Sequence, residues 1–345
     1  MLTPLLGVCW MVDRLSEPRD VGPPRGYVCY RADRPLLIDG SLRDEQWTKA
    51  PWTEEFVDIE GDIRPKPRFK TRAKMLWDDK YFYIGAEMDE PHVWATLTEH
   101  DSVIFQDNDF EVFIDPDGDN HEYYEFEINA LNTGWDLRLV KPYRDGGPAL
   151  NEWEIPGLKT AVHIRGTLND PSDKDEGWSV EIALPWRVLA EFANRPSPPN
   201  HGDQWRVNFS RVEWLVDIVN GSYKKVPGRP EDNWVWTPQG IIDMHRPERW
   251  GFVQFSTKQP GTDAYMPDPM YPAREQLHKI YYAQRRHHDK HGSYAPKVED
   301  LAIGGTKADI ELTSSGWIAR VTTVDKEGRG ARLCIRDDSK VWRED

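Results

Sequence analysis

From residue 106 to 135 the chain reads QDNDFEVFIDPDGDNHEYYEFEINALNTGW, and polar and apolar positions alternate through most of it. Asp107, Asp109 and Glu111 occupy alternate positions with Phe110 and Val112 between and beyond them. After a turn at Asp115-Pro116-Asp117-Gly118-Asp119, Tyr124, Phe126 and Ile128 take one face, and Glu125, Glu127 and Asn129 take the other. A period of two marks a half-buried strand. Two such strands joined by a glycine-containing turn predict a hairpin. Its polar face carries several carboxylates and an amide, a surface suited to a polyhydroxylated ligand or a metal ion.

The same pattern predicts strands over 69–77, 81–89, 109–115, 123–131, 135–140, 158–164, 178–184, 205–213, 234–237 and 251–255. Turn residues separate them at the spacing of a β-sandwich. Pro185 opens a predicted helix over 186–193, since proline is tolerated at a helix start. Residues 259–272 are rich in Pro, Gly and Asp and read as a linker. Beyond them Leu277, Ile280, Tyr281 and Gln284 fall at helical spacing to about His291, and Gly292 is a C-terminal stop. Two strand-like runs follow, 308–323 with a turn at 314–316, and 332–341. The organisation expected is a flexible lead-in (1–26), an all-β sandwich (27–256), a linker (257–272) and a small α+β appendage (273–345).

Charge and composition narrow the function. The 345 residues carry a formal net charge of −15, which argues against nucleic acid as a partner. No stretch is apolar enough to span a membrane. The 16 Trp, 13 Tyr and 11 Phe supply flat stacking faces, although sandwich cores also use aromatics. Cys9, Cys29 and Cys334 are scattered and give neither a disulfide framework nor a zinc signature. The opening MLTPLLGVCWMVDR has a short apolar run without a basic start or a small-residue cleavage site. A secreted or periplasmic location is the expectation. Phosphate loops, nucleophile elbows and dinucleotide fingerprints do not occur.

Three groups of residues carry candidate chemistry. Carboxylates on the hairpin accept strong hydrogen bonds from hydroxyls. The acidic turn, Asp115, Asp117 and Asp119 with Glu122 nearby, offers oxygens of the kind calcium takes. It departs from the EF-hand, because Phe126 stands where the twelfth-position Glu would be, and an ordinary acidic hairpin is the plain alternative. In 231–250, EDNWVWTPQGIIDMHRPERW, tryptophans accompany Asn233, Asp243, His245 and Arg249, a set suited to stacking on sugars and forking hydroxyls. Trp250 is expected in the core, and one of Trp234 or Trp236 at the surface. His287 and His291 sit one turn apart on the tail helix without the Glu of a zinc protease motif, and read as a solvated face.

The runs LLIDGSLRDEQWTKAPW, AKMLWDDKYFYIGAEMDEP, DNDFEVFIDPDGDNHEYYEFEINALN, GWSVEIALPW and NWVWTPQG…HRPERWGFVQF together resemble the family 9 carbohydrate-binding modules over about residues 35–256. The resemblance implies a DOMON-like, immunoglobulin-like β-sandwich, bound calcium, frequent attachment to xylanases, and sugars held between two Trp rings. It places the family's acidic ligand residue at Glu111 and a ligand-contacting amide near Asn208. The clamp Trp positions fall near Phe105 and Met244, and the family's Arg falls at Glu127. These departures put chain-end glucan or xylan specificity in doubt and leave Trp94, Trp135, Trp214 and Trp236 as other stacking candidates.

The resulting expectation is a carbohydrate-binding protein of polysaccharide catabolism. It would bind a polysaccharide or oligosaccharide through Phe105, Asp109, Glu111, Glu127, Asn129, Asn208, Trp236 and Met244, with calcium at Asp115, Asp117, Asp119 and Glu122. A separate glycoside hydrolase is a further expected partner. The rival is an enzyme, a glycoside hydrolase or lyase using Asp109, Glu111 and Glu127, since alternate residues on a strand face stand about 6–7 Å apart and glycosidases need two carboxyls at a set separation. A third reading, a haem domain, rests on Met244 and His245. Neighbouring residues of a regular strand point to opposite faces, which argues against it.

Overall fold

A computed structural model describes residues 16–344. It divides into two units. The larger comprises Asp20–Pro142 and Gly147–Pro267; the smaller includes Tyr143–Gly146 and residues 268–344.

The larger unit is a β-sandwich built from one curled sheet. Its first strands are β1 (Gly26–Arg31), β2 (Val57–Asp58), β3 (Thr71–Trp77), β4 (Tyr81–Asp89), β5 (Asp109–Asp115) and β6 (Tyr123–Asn129). Next come β7 (Gly134–Leu139), β8 (Ala149–Leu150), β9 (Lys159–Arg165), β10 (Gly177–Pro185) and β11 (Gln204–Glu213). A separate short hairpin, β12 (Val216–Val219) with β13 (Ser222–Lys225), precedes β14 (Asp232–Val235) and β15 (Gly251–Ser256).

The strand order is β8-β7-β6-β5-β11-β15-β1-β3-β4-β10-β9, with β14 pairing both β11 and β2. Strand β1 pairs in parallel with β15 on one side and β3 on the other, and so joins the two halves. Apolar residues of both halves meet in one core: Phe110, Val112, Phe126, Ile128, Val207 and Phe209 from one, Met75, Ile84, Trp178 and Ile182 from the other. This is the alternation of the sequence made three-dimensional, because each strand gives every second residue to the interior.

The predicted strands sit close to their observed positions, and three expectations need correction. The helix after Pro185 is one turn, α1 (Trp186–Leu189), since Trp186, Val188 and Leu189 are all buried and the Ala190 amide closes onto the Trp186 carbonyl. The β12–β13 hairpin was not anticipated; it is short and largely exposed, so no apolar face announces it. Neither Trp234 nor Trp236 is at the surface. Trp236 packs in the core against Tyr27 and Phe209, and Trp234 lies beneath the Arg68 and Arg211 guanidiniums. Trp250 is buried as expected, beside Phe113 and Tyr123.

In the smaller unit, α2 (Tyr271–His291) packs on an antiparallel sheet of β16 (Asp309–Leu312), β17 (Trp317–Val324), β18 (Gly330–Arg336) and β19 (Val341–Glu344). Leu277, Ile280 and Tyr281 supply the buried helix face and meet Trp317, Val321 and Ile335. Gly292 ends the helix at φ +70°, the left-handed conformation glycine adopts without steric cost.

Candidate functional site

Strands β5 and β6 send their apolar residues into the core, so Asp109, Glu111, Glu125 and Glu127 share the opposite face. Glu111 stands directly across from Glu127, and Ser210 of β11 stands across from Glu111 on the other side. The face is covered, and none of the four carboxylates is more than 5% exposed. Oxygens of Asp109, Glu111 and Glu127 lie within 4.8 Å of one another.

Few hydrogen bonds serve this cluster. Asp109 Oδ1 accepts from the Val212 amide at 3.1 Å, and Glu127 Oε2 accepts from the Phe105 amide at 2.9 Å. Asp109 Oδ2 and Glu125 Oε2 are buried without a hydrogen-bond partner among the described residues. His245 Nε2 is 4.0 Å from Glu125 Oε2, while its Nδ1 is bonded with the Tyr123 hydroxyl. Lys225 Nζ lies 3.5 Å from the centre of the Trp214 ring and donates to Gln106 Oε1.

Electrostatics follow from this geometry. Burial, reinforced by the charge of Glu231, pushes the Glu111 carboxyl up to about 7. Burial, then Glu111, raises Asp109 and Glu125 well above the usual carboxylate range. Glu127 is raised by burial and by the negative charges of Glu111, Asp109 and Glu125. Four buried carboxyls crowded on one face resist full ionisation and favour protons or a positively charged guest.

Half-buried aromatics stand beside the cluster. Phe105 and Trp135 stack with ring centres 6.4 Å apart. Trp135 is opposite Glu127 in register, and its indole N–H has no partner among the described residues. Trp214 donates its indole N–H to the Phe105 carbonyl at 2.9 Å. The Phe105 backbone is thus held from both ends, by Glu127 and by Trp214.

Phe105, Asp109, Glu111 and Glu127 therefore converge, whereas the other four expected ligand residues are engaged elsewhere. Asn129 is fully buried: its amide donates to the Leu97 carbonyl and Asp107, and its oxygen accepts from the Leu131 and Thr133 amides. Asn208 is tied to both backbone groups of Thr237. Trp236 is core. Met244 is buried with Trp250, Phe113 and Tyr123, and its carbonyl accepts from the Trp250 indole. Asp107 is likewise structural, accepting from Thr96 and the Leu97 amide. Of the alternative stacking residues, Trp94 is buried and Trp135 and Trp214 are half-buried. Lys225 was missed because it lies on the unanticipated hairpin.

The acidic turn is built differently. Oxygens of Asp115, Asp117 and Asp119 lie within 4.8 Å of one another. The turn's own backbone already serves them: Asp115 accepts from the Gly118 and Asn120 amides, and Asp119 from the His121 amide. Asp117 accepts from the Asn194 side chain. Burial and the neighbouring aspartates raise Asp115 and Asp117. Glu122 does not join this cluster. Positive φ at Asn120 and Glu122 swings the chain into β6, and Glu122 instead pairs with Arg138 of β7 at 3.6 Å.

Residues 38–201 match the family model described as carbohydrate family 9 binding domain-like. The chain is 27% identical over 153 residues to exoglucanase XynX of Acetivibrio thermocellus, covering 44% of this chain and 12% of that protein. It is 26% identical over 153 residues to endo-1,4-beta-xylanase A of Thermoanaerobacterium saccharolyticum, covering 44% and 11%. The chain thus spans about a tenth of the length of these relatives. Among solved structures it is similar to a family 9 carbohydrate binding module from Caldicellulosiruptor kristjanssonii in complex with cellotriose, at 14% identity and TM-score 0.46, covering 70% of this chain and all of that one. A putative carbohydrate-binding protein from Bacteroides uniformis aligns at 15% identity and TM-score 0.49, covering 68% of this chain and all of that one.

Proposed function

We propose, from the premise that this chain carries a carbohydrate family 9 binding domain-like segment at residues 38–201, that the β5–β6 face binds carbohydrate. One observation carries the reading: buried carboxylates, Asp109 and Glu125 with an unbonded oxygen each among the described residues, lie beside half-buried aromatic rings, and Glu127 and Trp214 fix the Phe105 backbone among them. Carboxylates take sugar hydroxyls as donors, and the flat rings of Phe105, Trp135 and Trp214 take the sugar's C–H face. The role we propose is in polysaccharide breakdown outside the cytoplasm, beside a glycoside hydrolase that does the cutting; the likeness to segments of an exoglucanase and a xylanase supports it. Among the described residues no helix is long and apolar enough to cross a membrane.

Binding is favoured over hydrolysis. A glycosidase sets one carboxyl up as an acid and keeps its partner ionised, so their environments push the two pKa values apart. Here Asp109, Glu111, Glu125 and Glu127 are all pushed the same way.

The acidic turn suits a calcium ion as far as its donor set goes. Asp115, Asp117 and Asp119 would hold the ion, and their mutual repulsion is what a divalent cation relieves. Its contribution there would be rigidity of the β5–β6 turn.

The test is a glycan-array screen of the whole chain with and without calcium, using wild type and Glu111→Ala, with reducing-sugar release measured on the same samples. Retention on a glycan, lost in Glu111→Ala and without product, is the expected result. Product release would replace this reading with the enzyme, and no retention on any glycan would end it.

A further inference from the structure

The carboxylate face gathers more acid groups than a neutral sugar uses. We propose that the carbohydrate bound there carries a free, protonated amino group, as in a glucosamine-type unit, and that Asp109, Glu111 and Glu127 cradle the ammonium. This rests on the carbohydrate reading above and narrows its ligand class.

Three observations converge. First, the donors fit. Charge-assisted N–H···O bonds run at about 2.7–2.9 Å, so three tetrahedrally arranged ammonium donors place their acceptors about 4.6 Å apart. The oxygens of Asp109, Glu111 and Glu127 lie within 4.8 Å of one another. Second, an acceptor is waiting. Asp109 Oδ2 is buried with no hydrogen bond among the described residues, and a buried, unpaired carboxylate oxygen is costly unless something positive or protonated meets it. Third, the lysine beside the cluster is engaged elsewhere: Lys225 rests on Trp214 and bonds to Gln106. Elsewhere a buried pair does meet a cation, as Arg211 stands between Glu90 and Glu213 at 2.8 Å each.

A bare divalent cation would also satisfy three carboxylates. It has no use for aromatic faces, however, and Phe105, Trp135 and Trp214 sit beside this cluster. An amino sugar uses both halves of the site: its ring stacks on the aromatics and its ammonium reaches the acids.

Titration calorimetry on the whole chain separates the outcomes. The probes are a glucosamine oligomer, its N-acetylated counterpart and a cello-oligosaccharide of equal length, and calcium alone on chelator-treated protein. The variants are Glu127→Gln, which removes charge and keeps shape, and Asp117→Asn in the acidic turn, each checked for folding by circular dichroism. The expected result is at least tenfold tighter binding of the amine oligomer than of both neutral ones, with that preference abolished in Glu127→Gln. Equal binding of neutral and aminated oligomers would overturn the amine inference and leave the carbohydrate reading standing. Binding of none would overturn both. Calcium binding lost in Glu127→Gln and kept in Asp117→Asn would make this face a metal site and overturn the inference.

Discussion

The larger unit buries two sets of carboxylates, and they are treated in opposite ways. Around β11, Glu90 and Glu213 share the Arg211 guanidinium, and Asn108 donates to both acids. On the β5–β6 face, four carboxyls crowd together with few donors, the Val212 and Phe105 amides among them, and no cation within hydrogen-bond distance among the described residues. Burial is nearly the same in both places. The difference is pairing: Arg211 meets both acids of the first set at 2.8 Å, and in the second set, where we propose a guest binds, no cation among the described residues comes that close. Burial and Glu90 raise Glu213 as well, with Arg211 opposing, so what the second cluster lacks among the described residues is the opposing cation.

The largest effect belongs to the paired set. Arg211→Met strands Glu90 and Glu213 in the interior and should cost about 3–5 kcal/mol, read as a fall in Tm. Glu127→Gln should act with the opposite sign. Removing one of four carboxyls whose ionisation the cluster disfavours leaves fewer acids to share the remaining charge, so Tm at neutral pH should rise by a few degrees, about 2–4 °C per kcal/mol for a domain of this size. A fall comparable with that of Arg211→Met would erase the contrast between the two clusters.

Acidity offers a third way to sharpen the comparison. Glu111 has a folded-state pKa raised from 4.5 to about 7. Its proton therefore binds more tightly to the folded chain, and the stability it contributes is fully present below pH 4.5. That contribution is lost as pH rises through 7. Asp109, Glu125 and Glu127 shift in the same direction. Denaturant unfolding across this window should show stability falling with pH in wild type and a shallower slope in Glu111→Gln. The smallest effect is that of Phe105→Ala. It removes a half-buried ring worth about 1 kcal/mol of stacking, so affinity should drop several-fold while Tm moves little.

How much of this was legible in the sequence depends on the distance over which each feature is decided. The β5–β6 hairpin was readable because alternation is local, and the convergence of Asp109, Glu111 and Glu127 follows once the two strands pair. Gly292 as a helix stop was readable for the same reason. Asn129, Asn208 and Trp236 misled because residue type alone does not reveal what a side chain already holds. Asn129 bonds to Leu97 across the loop before β5, Asn208 to the Thr237 backbone after β14, and Trp236 is enclosed by β1 and β11. Glu122 misled because a positive φ two residues earlier turned it toward Arg138. Lys225 sits on a hairpin whose exposed residues carry no pattern.

The most direct measurement is a thermal unfolding comparison of wild type and Glu111→Gln, each with and without a saturating oligosaccharide from the glycan screen. Ligand at a hundredfold excess over Kd should stabilise wild type by about 2.7 kcal/mol. The account predicts that Glu111→Gln starts from a higher Tm and gains nothing from ligand, since charge removal and guest binding relieve the same strain. A variant that starts lower and keeps the full ligand shift would contradict it, and would return the carboxylate face to the structural side of the comparison.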